Sequence, residues 1–162
     1  MSQPDRPPAG TRLTRIGWET PEGLDEKVIR AVVKEFYARA RRDDVVGPVF
    51  NRVIPDADWP AHLDKISDFW SAMLLGTGRY QGRPMPKHMG IPELSDAHFM
   101  RWLRLFRETV DEVCTTDIAT LFIERSERIA NSFRMNIYMR RGDNITQMGP
   151  LKREAPATWT PD

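Results

Sequence analysis

Four long segments of this chain carry apolar residues at intervals of three and four positions, and this periodicity constrains the fold more than any other feature. In the first segment the apolar stripe contains Leu24, Val28, Val32 and Phe36. Because an α-helix turns once in about 3.6 residues, such a stripe lies on one helix face and is suited to burial. The alternating pattern of strands is absent, so the sequence predicts an all-α fold.

Capping and helix-breaking residues set the expected limits of these helices. Thr20 and Pro21 are typical of a helix start, Asp58 is expected to cap the second helix, and Gly76 is expected to end it. The pair Gly47-Pro48 interrupts the chain after the first helix, with a short turn or helical fragment following. The predicted helices cover approximately residues 21–42, 59–76, 95–114 and 117–140.

The remaining segments lack helical periodicity. Residues 76–94 contain four glycines and three prolines, so we expect a long loop there, with at most one helical turn around His88. Residues 1–17 and 142–162 are predicted to be terminal extensions with little core of their own, on either side of one domain at 18–141. A chain of 162 residues has room for a single core of this kind.

Composition excludes several classes of function. A net charge of +1 gives no electrostatic basis for binding nucleic acid. No apolar run approaches the roughly 18 residues of a membrane span, and the first residues lack the apolar stretch of a signal peptide. We therefore expect a cytoplasmic protein with neither a nucleic acid nor a membrane as partner. The single cysteine, Cys114, falls in a helical pattern and is expected to be a core residue rather than a nucleophile.

Two of the three histidines are candidate functional residues, because imidazole is the commonest metal ligand in proteins. His62 shares a predicted helix face with Ile66, Phe69 and Trp70, where a hydrogen-bonded core histidine is the alternative. His88 lies in the loop rich in glycine and proline, where an exposed histidine is the alternative. If the helix and the loop place these two imidazoles on opposite sides of one slot, a flat cofactor fits between them.

Tyr37 and Trp102 add a polar hydrogen each to otherwise apolar helix faces, although simple core aromatics are the alternative. A buried phenol or indole usually finds a partner for that hydrogen. Haem iron needs a nitrogen ligand, an apolar cavity and polar donors on its far side, and this set of residues meets those needs. The candidates for contact with the haem propionates are Arg79, Arg83 and Lys87.

The spacing of several short motifs resembles that of the group III truncated haemoglobins over roughly residues 24–140. The motifs that carry the resemblance are Phe36-Tyr37, Gly47-Pro48-Val49-Phe50, Trp59-Pro60-Ala61-His62, Asp68-Phe69-Trp70, Met73-Leu74-Leu75-Gly76, Lys87-His88, His98-Phe99, and Trp102-Leu103 with Leu105-Phe106. The resemblance implies a truncated globin fold, in which two helices pack across two around haem b without a covalent attachment.

The resemblance also implies roles for individual residues. His88 matches the proximal ligand of the iron, and Phe50 matches an aromatic residue in contact with the porphyrin. The residues that match the distal, ligand-binding side are Tyr37, His62 and Trp102. The residues expected to line or back the pocket are Ile66, Phe69 and Trp70, together with Trp102.

The function implied by this resemblance is reversible binding of O2 and other diatomic ligands, as in oxygen binding or transport. An enzymatic alternative is nitric oxide dioxygenation or peroxidase-like redox chemistry at the haem. Turnover of that kind needs electrons from a separate reductase, because the chain carries no flavin or nicotinamide motif. A helical interaction scaffold without a cofactor is a third alternative.

Overall fold

Helix α1 begins at Glu26 and ends at Arg42 in the computed structural model, which describes residues 11–13, 19–80, 91, 93–143, 146, 149 and 151. The carboxylate of Asp25 accepts a hydrogen bond of 2.9 Å from the backbone N–H of Val28 and caps the helix. The predicted start at Pro21 is therefore five residues too early.

The other helices lie close to their predicted limits. They are α2 (Gly47–Val53), α3 (Trp59–Leu75), α4 (Asp96–Val113) and α5 (Thr116–Arg140). The backbone of Gly76, with φ of 67°, ends α3 in the left-handed region as predicted. Asp58 occupies the predicted N-cap position of α3, but its side chain makes no capping hydrogen bond, and a 3-10 turn at Asp56–Asp58 leads directly into the helix.

A short pair of strands precedes α1. Strand β1 (Thr11–Leu13) pairs antiparallel with β2 (Glu19–Pro21), so that Thr11 lies opposite Pro21 and Leu13 opposite Glu19. This pairing was not predicted from the sequence, in which Thr20 and Pro21 carry the signals of a helix start. All other elements of the described ranges are helices, so the predicted helical architecture is confirmed.

The helices form two packed pairs, with α1 against α3 and α4 against α5, while α1 also packs against α4. Aromatic rings fill the space between the pairs, and Phe36, Phe106 and Phe122 are fully buried there. Trp70 stacks on Phe106 with ring centroids 5.3 Å apart. No helix in the described ranges is both long and apolar enough to cross a membrane.

A second apolar cluster lies between α4 and α5, around Phe99, Leu103 and Ile137. Leu151, from the predicted C-terminal extension, packs against it. Nearby, the guanidinium of Arg134 donates a 2.8 Å hydrogen bond to the carbonyl oxygen of Gly149. Gly149 and Leu151 of this extension therefore lie against the helical domain.

The corner between α1 and α2 is held by Asp43. One of its carboxylate oxygens accepts from the guanidinium of Arg101 at 2.9 Å, and the other accepts from the backbone N–H groups of Val45 and Val46, each at 2.9 Å. Burial favours the neutral acid, but these three hydrogen bonds favour the carboxylate more strongly, so the pKa of Asp43 lies below its usual value.

We expect Asp43→Asn to lower the free energy of unfolding by about 1–3 kcal/mol at pH 7, the usual cost of weakening a buried, charged hydrogen-bond acceptor. Because the pKa of Asp43 is depressed by folding, its contribution is complete above pH of about 4 and is lost as the pH falls through the folded pKa. The free energies of unfolding of wild type and Asp43→Asn, measured with urea, should therefore become equal at acidic pH. Asp44→Asn is the matched control, since Asp44 also pairs with Arg101 but its side chain is 88% exposed. Equal losses in the two variants would contradict this account.

Candidate functional site

Tyr37 lies on the inner face of α1, and only 8% of it is exposed. Burial raises the pKa of its phenol well above the usual range, and burial is the sole cause of that shift. The phenol therefore keeps its proton at any physiological pH. Its chemistry in the site is that of a neutral hydrogen-bond donor.

Three other rings surround Tyr37, and together the four are called the aromatic cluster: Tyr37, Phe50, Trp59 and His62. Ring centroids lie 5.5 Å from Tyr37 to Phe50, 5.7 Å to Trp59 and 5.9 Å to His62. The edge-on geometry of Phe50 and His62 against Tyr37 is favourable for aromatic pairs. The cluster brings residues from α1, α2 and α3 to one place, including three of the predicted site residues.

Gly47 allows α2 to carry Phe50 into this cluster. A Cβ atom at Gly47 would lie 2.8 Å from the carbonyl oxygen of Arg41, closer than real side chains approach. Asp43 fixes the same corner through the backbone N–H groups of Val45 and Val46. The close passage of α2 over the end of α1 therefore depends on the missing side chain of Gly47.

Trp59 is a member of the cluster for which the sequence analysis gave no site role. It is 3% exposed, its ring meets His62 edge-on at 5.4 Å, and the Arg41 guanidinium lies 4.5 Å from its centroid. The indole Nε1–H is buried and has no hydrogen-bond partner within the described part of the chain. In the sequence, Trp59 lies one helical turn before His62 on the same predicted helix face, and this spacing could have identified it as a neighbour of His62.

We expect Trp59→Phe to cost less stability than an ordinary truncation of a buried tryptophan. A buried N–H without a partner costs about 1–3 kcal/mol, and phenylalanine removes that cost while keeping an aromatic ring. Trp70→Phe is the matched control, because Trp70 is equally buried at 3% and stacks on Phe106. Thermal unfolding of both variants measures the difference, and an equal loss at the two positions would show that the Trp59 N–H is satisfied.

The face of α3 that carries His62 continues through Ile66, Phe69 and Met73, at helical spacing. His62, Ile66 and Phe69 are half-buried. Beyond Ile66, a cavity of about 390 Å³ opens beside this face, and its lining residues are Phe69, Ala72, Met73, Tyr80 and Arg125. One helix face thus borders both the aromatic cluster and an apolar cavity. The predicted slot between His62 and His88 stays a prediction, because His88 lies outside the described residues.

The two predicted tryptophans lie outside the aromatic cluster, Trp70 buried and Trp102 half-buried. Trp70 packs between Phe106 and Phe122, with centroids 5.3 and 5.2 Å away, so it backs the α3 face. Trp102 stacks on Phe106 at 5.2 Å and meets Phe36 edge-on at 5.4 Å. Phe36 in turn lies against Tyr37 at 4.9 Å, so one ring separates Trp102 from the aromatic cluster.

Several predicted contacts remain predictions. His88, with Arg83 and Lys87, lies outside the described residues. Arg79 is described, and its guanidinium pairs with Glu26 and donates to the Ser71 hydroxyl, which assigns it to the contact between α1 and α3. Within the described ranges, no group of three or more histidine, cysteine or acidic residues is arranged to hold a metal ion.

Comparison with known proteins gives consistent similarities. A family model described as bacterial-like globin matches residues 22–138. A group 3 truncated hemoglobin of Campylobacter jejuni is 34% identical over 119 residues, which cover 72% of this chain and 94% of the relative. The crystal structure of a group III truncated hemoglobin from Campylobacter jejuni superposes with a TM-score of 0.69 at 33% identity, covering 75% of this chain and 97% of that chain.

Proposed function

We propose that this chain, which belongs to the bacterial-like globin family and is a group III truncated haemoglobin, reversibly binds O2 and other diatomic ligands. Membership of the globin family implies a haem cofactor. The form that we propose is haem b, held by packing and by one protein ligand to the iron.

The described residues fit such a group. A flat macrocycle needs an apolar wall, and the α3 face with His62, Ile66 and Phe69 supplies one beside a cavity of about 390 Å³. Buried polar atoms of Trp59 and Arg125, which have no hydrogen-bond partner within the described ranges, lie near the same face. Buried polar atoms without a hydrogen bond are rare in protein interiors, and a bound ligand is one source of the missing partner.

When bound, haem supplies an iron to which a diatomic gas binds reversibly. The residue that we propose as its protein ligand is His88, on the strength of the Lys87-His88 motif and its place in the resemblance. On the other side we propose Tyr37, His62 and Trp102 as ligand-binding residues. Phe50, Ile66, Phe69 and Trp70 form the wall or its backing in this proposal, as does the ring of Trp102.

The observation that carries the proposal is the buried phenol of Tyr37 beside His62. A neutral donor in a dry site strengthens the attraction for a polar ligand, because the surroundings screen it weakly. His62, whose ring lies 5.9 Å from that of Tyr37, is placed to act as a second donor or as a gate. Trp102 is separated from them by Phe36 and is half-buried, so we propose that it acts from a neighbouring wall of the pocket.

Gas binding is tested directly with the purified, haem-loaded protein. Reduction under argon followed by O2 or CO should shift the visible absorption bands, and removal of the gas should restore them. A haem-loaded protein whose spectrum does not respond to either gas would contradict the proposal. Flash photolysis of the CO form gives the rebinding rate.

The buried donor at Tyr37 also favours a second candidate function, since a slowly released ligand has time to react. In that case bound O2 would oxidise nitric oxide to nitrate, with both oxygen atoms passing to the product, and an electron from a separate reductase would return the haem to its reduced form. Mixing the O2-loaded protein with nitric oxide in a stopped-flow instrument, with and without a reducing system, distinguishes the two. Repeated turnover only with the reducing system supports the enzyme, and a single reaction in both cases supports simple binding.

A further inference from the structure

The cavity between α3 and α5 contains one cation among apolar walls. Arg125 of α5 lines it opposite Phe69 and Met73 of α3, and Tyr80 closes one side with its ring edge-on to Phe69 at 5.3 Å. A volume of about 390 Å³ lies within the roughly 300–1,000 Å³ range of small-molecule pockets. The cavity therefore has the size and the walls of a binding site.

Arg125 differs from its neighbours on α5 in lacking a counter-charge. Its Nε–H is buried without a hydrogen-bond partner, and no carboxylate pairs with Arg125 among the described residues. One turn away, Arg128 is exposed and pairs with Glu124 at 2.7 Å. In sequence, the segment 81–90 that follows Tyr80 contains Arg83 and Lys87 but no aspartate or glutamate.

A guanidinium that is partly removed from water without a partner raises the free energy of the folded chain, and an anion that enters the cavity removes this cost. Carboxylates and phosphates both match the planar fork of N–H groups on arginine, and the single charge of a carboxylate is the one that a lone guanidinium balances. Apolar walls at Phe69 and Met73 favour an apolar body attached to that carboxylate over a small inorganic ion.

We propose that this cavity binds a carboxylate carried on an apolar body, and that Arg125 is the residue that receives it. Two sources share this chemistry, a propionate of the haem and a free alkyl carboxylate. The first source rests on the proposed function, whereas the second does not. Phe69 lines this cavity and is also one of the predicted haem contacts.

The first arm of the test measures haem loss to an excess of apomyoglobin, for protein loaded with haem or with haem dimethyl ester. If a propionate is the source, Arg125→Gln should lose haem roughly tenfold faster than wild type, the size expected for one charge-assisted hydrogen bond, and Arg125→Lys should lose it at an intermediate rate. With the dimethyl ester the variants should equal wild type. Arg128→Gln is the matched control, since Arg128 is exposed and already paired.

The second arm measures binding of sodium decanoate by titration calorimetry, on protein with and without haem. If a free carboxylate is the source, decanoate binds to wild type and to Arg128→Gln, and binding is lost in Arg125→Gln. The proposal is overturned if Arg125→Gln matches Arg128→Gln in both arms. A wild type that takes up neither form of haem contradicts the proposed function instead, and the decanoate arm still decides the role of Arg125.

Discussion

The intense Soret absorption of the haem-loaded protein is expected to disappear in His88→Ala, because this change removes the proposed nitrogen ligand of the iron. Loss of a direct ligand should exceed the roughly 10–100-fold cost of changing a residue that only supports one. Absorption spectroscopy of the purified variant, before and after addition of haem, measures the effect. The expected result is weak, non-specific haem uptake by a chain that still folds.

His98→Ala is the matched control for this experiment. His98 lies at the start of α4, where its Nδ1 is 3.0 Å from the Ser95 hydroxyl oxygen, and burial lowers the pKa of its imidazole. That variant should keep the Soret band. Added imidazole should restore the band in His88→Ala by supplying the missing nitrogen. A His88→Ala protein that binds haem like wild type would show that another residue holds the iron.

Tyr37→Phe is expected to raise the O2 dissociation rate by roughly 10- to 100-fold, the factor that corresponds to one hydrogen bond to a partly charged acceptor in a dry site. The ring contacts with Phe50 and His62 involve the aromatic carbons, so they survive the change. Stopped-flow mixing of the O2-loaded protein with dithionite and CO measures the rate. Because burial raises the pKa of the Tyr37 phenol, the factor between the rates of wild type and Tyr37→Phe should stay constant from about pH 6 to 9.

The control for Tyr37→Phe removes a phenol elsewhere. The Tyr138 hydroxyl donates a 2.8 Å hydrogen bond to Asp96, away from the aromatic cluster, so Tyr138→Phe should lower stability and leave the O2 dissociation rate unchanged. If Tyr37→Phe and Tyr138→Phe change the O2 dissociation rate equally, the change reflects a general loss of stability. If neither does, Tyr37 has no distal role.

Local sequence signals predicted most of the helical framework. Apolar periodicity located α3, α4 and α5 to within one or two residues at each end, because a stripe of that length fits no other secondary structure. Gly76 predicted the end of α3 for a purely local reason, its freedom to adopt positive φ. The start of α1 was wrong, since Thr20 and Pro21 carry the same local signals as a cap but are engaged in strand pairing with residues 11–13.

The site was predicted less completely, because its properties depend on contacts between elements. Periodicity placed His62 and Tyr37 on apolar faces, and the resemblance assigned them to one pocket. The indole N–H of Trp59 and the Nε–H of Arg125 lack a partner among the residues that the structure describes, and a missing partner cannot be recognised from a sequence. The place of His88 remains a prediction.

The close passage at Gly47 has a consequence for variation in this protein. Any side chain there meets the Arg41 carbonyl oxygen at 2.8 Å, so a library of substitutions at this position should yield few functional clones, although Gly47 is neither a haem contact nor a donor in the proposed site. Substitution at Gly47 should thus be tolerated as poorly as substitution of the residue that binds the iron. Selection on gas binding would then act on a residue that never meets the gas.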